Sequence, residues 1–196
     1  MDNMDNNENM EKAVEEKTEK KKENKVVEWA KTILIPIIIA ILILQVVRPT
    51  LVQQHSMLPT VEPNDYLIVY KLAYKLGEPH DGDIIVFHSE LKDDSDKDKF
   101  LIKRIIAVGG QTIEVRDGEV FVDGVQQDEP YINGDYTPGD VPATEVPEGY
   151  LFVMGDNRGN STDSRDSRVG FVPEDQVMGK VVVRLFPFSK IGSPYK

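Results

Sequence analysis

A serine at position 56 and a lysine at position 103 could together act as a nucleophile and its base. Ser56 lies in the segment 54–60 (QHSMLPT), where Pro59 fixes a turn and favours an extended Leu58. A serine at a rigid bend can expose its hydroxyl, but that hydroxyl is a weak nucleophile until a base takes its proton. An ordinary turn serine has the same local sequence, so the assignment depends on finding the base.

Lys103 lies in the apolar segment 101–108 (LIKRIIAV), which is typical of a β-strand. With a period of two, one face of this strand carries four residues: Leu101, Lys103, Ile105 and Ala107. Arg104 falls on the other face. If the first face is buried, loss of water disfavours the charged amine and lowers its pKa, as a lysine base requires. A lysine that reaches water from the edge of the strand is the simpler alternative.

The three histidines are poorer candidates for the base. His55 adjoins Ser56, and neighbouring side chains on an extended segment point to opposite faces. His80 lies in a turn of Gly, Pro and Asp residues, and His88 ends a predicted strand before a polar loop. Their spacing is not typical of a metal site. A Ser-His-Asp triad is therefore less favoured than a Ser-Lys pair.

A polar segment at 155–165 (GDNRGNSTDSR) could support such a pair. It follows the apolar run 150–154 and is rich in hydroxyl, carboxylate and guanidinium groups, which can form a hydrogen-bond network. A plain surface turn and a calcium loop are the alternatives. The calcium pattern fails, because Arg158 occupies a position where an oxygen ligand is needed and no glutamate closes the series.

Composition limits the remaining classes of function. The chain has 196 residues, enough for one domain and an appendage, and it has no cysteine, which excludes disulfides and thiolate chemistry. The formal net charge is −11, and no lysine or arginine occurs between Arg116 and Arg158. Such an acidic stretch repels phosphate backbones, so we expect no nucleic acid among the partners.

An apolar run without charges, residues 32–47 (TILIPIIIAILILQVV), points to a membrane anchor. Trp29 and Ala30 extend it towards the roughly 20 residues that cross a bilayer, and we predict a transmembrane helix at 29–47. A buried soluble helix would normally have a polar face, and a cleaved signal peptide would need a small-residue cleavage site after the run. Neither feature is present in the sequence.

Lysines before the apolar run predict its orientation. Arg48 is the one cation close behind it, whereas the segment just before it contains Lys17, Lys20, Lys21, Lys22, Lys25 and Lys31. By the positive-inside rule, the tail 1–28 is expected to be cytoplasmic and residues 48–196 external.

The external part is predicted to be mainly β, with a closed or partly closed sheet system. Short apolar or β-branched runs occur at 66–70, 83–88, 101–108, 112–116, 119–122, 150–154 and 177–185. Asp117-Gly118 separates two of them, which indicates a hairpin. Residues 90–99 are a charged connection. Residues 126–149 contain four prolines and are predicted to form a long acidic loop.

Taken together, these segments resemble the type I signal peptidase family. Four blocks carry the resemblance in the family's order: 56–60 (SMLPT), 65–71 (DYLIVYK), 103–106 (KRII) and 155–165. The resemblance implies a serine endopeptidase with a signal-peptidase-like β-sheet or barrel domain. Ser56 would attack the scissile carbonyl, neutral Lys103 would take its proton, and the backbone N–H of Ser56 would donate to the oxyanion.

The resemblance also implies supporting residues. Ser161 would orient the Lys103 amine, and Asp163 would form an ion pair with Arg165. The family usually has Gly or Ser two residues before the nucleophile. This chain has Gln54 there, whose amide could supply a second oxyanion donor.

Substrates, partners and location follow from the same resemblance. Substrates would be secretory preproteins in the lipid bilayer of the plasma membrane, with small residues one and three positions before the cut. No metal or organic cofactor is implied. The single anchor is similar to the forms of Gram-positive bacteria, which have the catalytic domain outside the cell.

Two other functions stay open. A self-cleaving repressor-type protease shares the Ser/Lys chemistry, but such repressors bind DNA, which the apolar run and the acidic external part disfavour. An anchored, non-catalytic binding protein that retained the fold is the alternative from a different class. The presence of both Ser56 and Lys103 disfavours it.

Overall fold

The structure is a computed structural model that describes residues 28–92, 96 and 98–195. The predicted cytoplasmic tail 1–28 lies outside the described residues except for Glu28. The chain divides into two units, one that ends at Gln45 and one that begins at Val46.

A long helix, α1, extends over Glu28–Val46, and all of it except Val46 belongs to the first unit. Its 19 residues are long and apolar enough to cross a membrane. The Thr32 hydroxyl donates to the Glu28 carbonyl oxygen one turn earlier, at 2.9 Å, which satisfies this polar group within the helix. The leucine and isoleucine side chains along α1 are exposed within this unit. The helix begins one residue before the predicted anchor 29–47 and ends one residue before the end of that anchor.

The second unit consists mainly of strands, which confirms the predicted mainly β fold. Its elements in the described part of the chain are β1 (Val47–Leu51), β2 (Tyr66–Tyr70), α2 (Ala73–Leu76), β3 (Ile84–Lys92), β4 (Asp98–Val108), β5 (Thr112–Arg116), β6 (Glu119–Val122), β7 (Val125–Gln126), β8 (Val141–Glu145), β9 (Tyr150–Met154), β10 (Val172–Pro173) and β11 (Val177–Phe186). All paired strands are antiparallel.

Two sheets share these strands. The larger sheet has the order β1-β2-β11-β3-β4-β9-β10, and the smaller one has the order β7-β6-β5-β8. The predicted hairpin joins β5 to β6, where Asp117 and Gly118 both have positive φ, as a two-residue turn of this twist requires. Strand β8 lies within the segment predicted as a long loop and pairs with β5.

Three clusters of buried apolar side chains pack the strands together. One includes Ile113 and Phe152 from the two sheets, one includes Met57 and Val61 beside β2, and one includes Ile105 and Val153 from β4 and β9. Burial of complete Val, Ile and Phe side chains contributes about 1.5–3 kcal/mol each, so these clusters hold the central strands of the larger sheet in place.

The predicted alternation along β4 is wrong at Ala107. The pairing of β4 with β9 shifts between Ile105 and Ala107, as in a β-bulge. Ala107 consequently packs in the cluster of Ile106 and Phe152, not with Leu101 and Ile105. Lys103 precedes the shift, so it keeps the face that it was predicted to share with Leu101 and Ile105.

Candidate active site

Ser56 lies in the turn between β1 and β2. The carbonyl oxygen of His55 accepts from the Leu58 N–H at 3.3 Å, and that of Met57 accepts from the Val61 N–H at 2.9 Å. Met57 and Val61 are fully buried in the core and anchor the turn from below. Ser56 is itself 8% exposed, so its position is fixed by the core on one side and opens to solvent on the other.

Lys103 reaches Ser56 from the middle of β4. Its backbone is opposite Ile85 of β3, and its side chain is 1% exposed. Lys103 Nζ lies 2.7 Å from Ser56 Oγ and also donates to the Ile102 carbonyl oxygen at 3.1 Å. Among the described residues, no other side chain forms a hydrogen bond with Ser56 Oγ.

Burial lowers the pKa of Lys103 from its ordinary value of 10.5 to about 8. Loss of water is the largest cause, because it penalises the ammonium form. The charges of Lys99 and Arg165 lower the pKa further, whereas those of Asp163 and Asp156 raise it. A substantial fraction of the amine is therefore neutral near pH 8, as a general base requires.

Ser161 lies against the same turn, with its Oγ buried. Within the described residues, this hydroxyl has no hydrogen-bond partner of normal geometry, although it is near enough to Asp163 to help lower the pKa of that carboxyl. Gly155 lies directly between Ser161 and the backbone of Ser56. A Cβ at Gly155 would overlap both Ser161 Oγ and the Ser56 carbonyl oxygen, so only glycine allows this approach.

Asp163 and Arg165 form the ion pair that the family resemblance implied. Arg165 Nε donates to Asp163 Oδ1 at 2.8 Å, and a second guanidinium nitrogen donates to Oδ2 at 2.8 Å. The Gly155 N–H also donates to Asp163 Oδ2 at 3.0 Å. Burial alone would raise the pKa of Asp163, but these donors, above all Arg165, hold it below its ordinary value. The pair thereby fixes the backbone at Gly155.

The sequence did not reveal a second buried pair, Arg104 with Asp156. Arg104 donates to both carboxylate oxygens, at 2.9 and 2.7 Å, and its guanidinium stacks on the Tyr131 ring at 3.8 Å. Thr60 also donates to Asp156. The pair therefore connects β4, behind Lys103, to the turn that carries Ser56. Both residues lie inside the blocks 103–106 and 155–165, but no local pattern in either block indicates that they pair.

Arg158 forms the third buried pair. It donates to both Glu129 carboxylate oxygens, at 2.7 and 2.6 Å, and to the Thr137 hydroxyl at 2.7 Å. Glu129 and Thr137 belong to the segment predicted as a loop. The adjacent Asn157 donates from its side chain to the His55 carbonyl oxygen and from its N–H to the Ser56 carbonyl oxygen, both at 3.0 Å. These bonds hold the polar segment 155–165 against the Ser56 turn.

Candidate donors to an oxyanion lie at the same turn. The Ser56 N–H has no acceptor among the residues that the structure describes. The Gln54 side-chain amide donates to the Phe100 carbonyl oxygen at 3.3 Å. The Gln54 side chain therefore lies close to β4, and its amide N–H is already hydrogen-bonded to the backbone of that strand.

Two cavities flank Ser56. The first has a volume of about 260 Å³ and is mainly apolar, with Val52, Met57, Val86, Phe100 and Ile102 among its lining residues. The second is a more polar cleft of about 580 Å³ that contains Lys103 and Ser161, together with the exposed His55. An extended peptide could pass from one to the other across the Ser56 hydroxyl.

Comparisons with known proteins point in one direction. A family model described as signal peptidase, peptidase S26, matches residues 26–186. A probable signal peptidase I-1 from Synechocystis sp. is 42% identical over 164 residues, which is 82% of this chain and 82% of that protein. Signal peptidase I T from Bacillus subtilis is 36% identical over 186 residues, which is 90% of this chain and 93% of that protein. A crystal structure of a signal peptidase I from Enterococcus faecalis is 34% identical, with a TM-score of 0.44, and the match covers 53% of this chain and 97% of that one.

Proposed function

The chain belongs to the signal peptidase family, peptidase S26, and we propose that it is a membrane-bound serine endopeptidase that removes signal peptides from secreted preproteins with a Ser56–Lys103 dyad. One observation carries the proposal. The buried amine of Lys103 lies 2.7 Å from the Ser56 hydroxyl oxygen, within the distance at which a base can take its proton.

The reaction begins with proton transfer from Ser56 to neutral Lys103. The Ser56 O–H donates to the amine while Oγ attacks the scissile carbonyl carbon, and the Ser56 N–H donates to the developing oxyanion. When the C–N bond breaks, the Lys103 ammonium returns the proton to the leaving amine. Water then attacks the acyl-enzyme, and Lys103 takes a proton from that water. When the ester C–O bond breaks, the Lys103 ammonium returns a proton to Ser56 Oγ, which restores the free enzyme.

Ser161 positions Lys103 for these transfers. Its hydroxyl is buried beside the dyad without a hydrogen-bond partner of normal geometry in the described part of the chain, so it is free to accept from the lysine amine. Asp163 and Arg165 hold the segment that carries Ser161 through the bond to the Gly155 N–H. They act on the site through this backbone and do not contact the substrate.

The apolar cavity beside Ser56 suits the side chains next to the cleaved bond. In an extended peptide, the residues one and three positions before the cut point to the same side. The mainly apolar lining of this cavity, which includes Met57, Phe100 and Ile102, suits apolar side chains at those two positions, and the family resemblance implies that they are small. Preproteins with small residues there are the proposed substrates.

Helix α1 anchors the enzyme in the plasma membrane, with the amino end cytoplasmic. Ser56 follows the end of α1 by ten residues, which can span at most about 33 Å of extended chain. A preprotein held in the bilayer by its own apolar segment would present its cleavage site within that range. Proteolysis of intact spheroplasts should digest the part after Arg48, and protection of that part would contradict the orientation.

The function is tested with the purified full-length protein in detergent and a preprotein substrate. We expect a single cut after the signal peptide, located by mass spectrometry, and no cut with the Ser56→Ala variant. Binding of the preprotein without cleavage by the wild-type protein would instead support the anchored, non-catalytic alternative.

A further inference from the structure

The two cavities beside Ser56 meet at a shared rim that contains one unburied cation. Four residues line both of them: Gln53, Gln54, Ser56 and Lys99. Lys99 is partly exposed and precedes Lys103 by four positions on β4. The uninterrupted pairing of Lys99 with Ser89, and of Lys103 with Ile85, keeps both lysines on one face of the strand.

The described residues around Lys99 provide no partner for its charge. The chain has 34 Asp and Glu residues against 23 Lys and Arg residues, yet no carboxylate is among the described residues that line either cavity. No hydrogen bond or ion pair joins Lys99 to any residue that the structure describes. Among the described residues, the part of the cleft closest to the reacting hydroxyl therefore carries a positive charge, in a protein that is acidic as a whole.

We propose that Lys99 is a specificity-determining residue that selects substrates with an acidic rather than a basic side chain near the cleaved bond, at a position other than the two that hold small residues. The inference rests on the proposed function. A peptide that passes from one cavity to the other must cross the rim where Lys99 lies. A carboxylate near the cleaved bond would be attracted by the ammonium group, and a second cation there would be repelled.

The expected size of this effect is modest. Partly exposed charge pairs change an equilibrium by about twofold to fivefold, because water and salt screen them. Exchange of Glu for Lys in the substrate replaces an attraction with a repulsion. The ratio of kcat/KM for the two peptides should therefore be about fivefold to twentyfold in favour of Glu at the most sensitive position.

Lys99 has a second effect that the test must separate. Its charge helps to lower the pKa of Lys103, together with Arg165 and against Asp163 and Asp156. Replacing Lys99 with glutamine should therefore move the alkaline rise in activity to higher pH for every substrate. A ratio between two peptides is insensitive to this change, because both react with the same Lys103.

The experiment uses full-length enzyme in detergent and peptides that contain one preprotein cleavage site. At each position next to the cleaved bond, apart from the two small residues, Glu, Gln and Lys are compared by kcat/KM. The variants are Lys99→Gln and Lys99→Glu. Lys75→Gln serves as the matched control, because Lys75 is exposed in α2 and lines neither cavity.

We expect the wild-type preference for Glu over Lys at the most sensitive position to disappear in Lys99→Gln and to reverse in Lys99→Glu. It should persist in Lys75→Gln and weaken at high salt. The contrary result is that all the peptides are cleaved, while the ratio of kcat/KM for the Glu and Lys peptides is equal in the wild type and in both Lys99 variants. That result would overturn the role of Lys99 and leave the proposed function intact. A protein that cleaves none of the peptides would contradict the proposed function and this inference with it.

Discussion

The proposed catalytic pair, Ser56 and Lys103, and the ion pairs behind it are both buried, yet they differ in how completely their polar groups are satisfied. The Lys103 amine has no carboxylate in contact, and the nearby Ser161 hydroxyl has no partner of normal geometry in the described part of the chain. In contrast, three arginines of the supporting pairs each donate twice to one carboxylate: Arg104 to Asp156, Arg158 to Glu129 and Arg165 to Asp163.

This difference separates reactivity from stability. A buried amine without a counterion has a lowered pKa and an available lone pair, which a base needs, but its burial costs free energy. A bidentate pair is chemically inert, but it fixes the segments that it joins. Substitutions in the catalytic pair should therefore abolish activity while the fold persists, and substitutions in the supporting pairs should weaken the fold.

The largest effect is expected from Lys103→Met and Ser56→Ala. Each should lower kcat by roughly a thousandfold or more, because the base or the nucleophile is lost.

The folded-state pKa of Lys103, about 8, lies below its ordinary value of 10.5. The unfolded chain therefore binds more protons between these pH values, and stability rises with pH across that window.

At pH 7 the buried ammonium consequently destabilises the folded protein. Lys103→Met should unfold at the same temperature as the wild type or at a higher one, measured by calorimetry at pH 7. An inactive variant with a clearly lower Tm would mean that Lys103 is a structural residue, and the comparison would fail.

Asp156→Ala should have the largest effect on stability. It leaves the Arg104 guanidinium buried without its carboxylate, and loss of one partner of a buried pair typically costs about 3–5 kcal/mol. The free energy of unfolding is measured by urea denaturation. The double variant Arg104→Met with Asp156→Leu should recover part of the loss, since no charge is left unpaired. If Asp156→Ala and the wild type have the same free energy of unfolding, the pair of Arg104 and Asp156 does not stabilise the site.

Ser161→Ala should reduce activity and leave stability nearly unchanged. The hydroxyl has no hydrogen bond of normal geometry to lose in the described part of the chain, so the Tm should stay within about 2 °C of the wild type. Turnover should fall by about tenfold to a hundredfold, because a mispositioned base transfers protons poorly. Full turnover in the folded variant would remove Ser161 from the site, and Ser161→Thr, which keeps the hydroxyl, is the matched control.

The smallest effect is expected at the exposed pair of Asp166 and Arg168. This pair has the same spacing in sequence as Asp163 and Arg165, but the Arg168 side chain is 66% exposed and that of Arg165 is 9% exposed. Solvent screens the outer pair, so Arg168→Ala should leave Tm and turnover unchanged. Arg165→Ala should lower both. Similar losses in the two variants would show that burial does not distinguish the pairs.

Strands and turns whose residue pattern lies within a few positions of the chain were predicted from the sequence. Strands β2, β5, β6 and β9 have the predicted bounds, and the Asp-Gly hairpin was confirmed, because alternation and turn residues are visible within a few positions. Strand β1 was not predicted, since Arg48 and Pro49 interrupt its apolar character. The shift at Ala107 depends on the partner strand β9, which no pattern within β4 reveals.

The candidate site was predictable where it coincides with sequence blocks of the family. The Ser56–Lys103 dyad was predicted because each residue lies in one of these blocks, 56–60 and 103–106. The bond between Arg104 and Asp156 joins residues 52 positions apart, and the bond between Arg158 and Glu129 joins residues 29 positions apart. Such pairings depend on the complete fold. A charged residue next to a motif does not indicate its partner.

The pH dependence of kcat/KM tests the Ser56–Lys103 dyad most directly. The base must be neutral to accept the proton, so kcat/KM should rise with pH and level off above an inflection near the pKa of Lys103, about 8. The same rise should persist when His55, His80 and His88 are all replaced by glutamine. A rise centred near pH 6.5 that disappears when one histidine of a folded variant is replaced would contradict the lysine base.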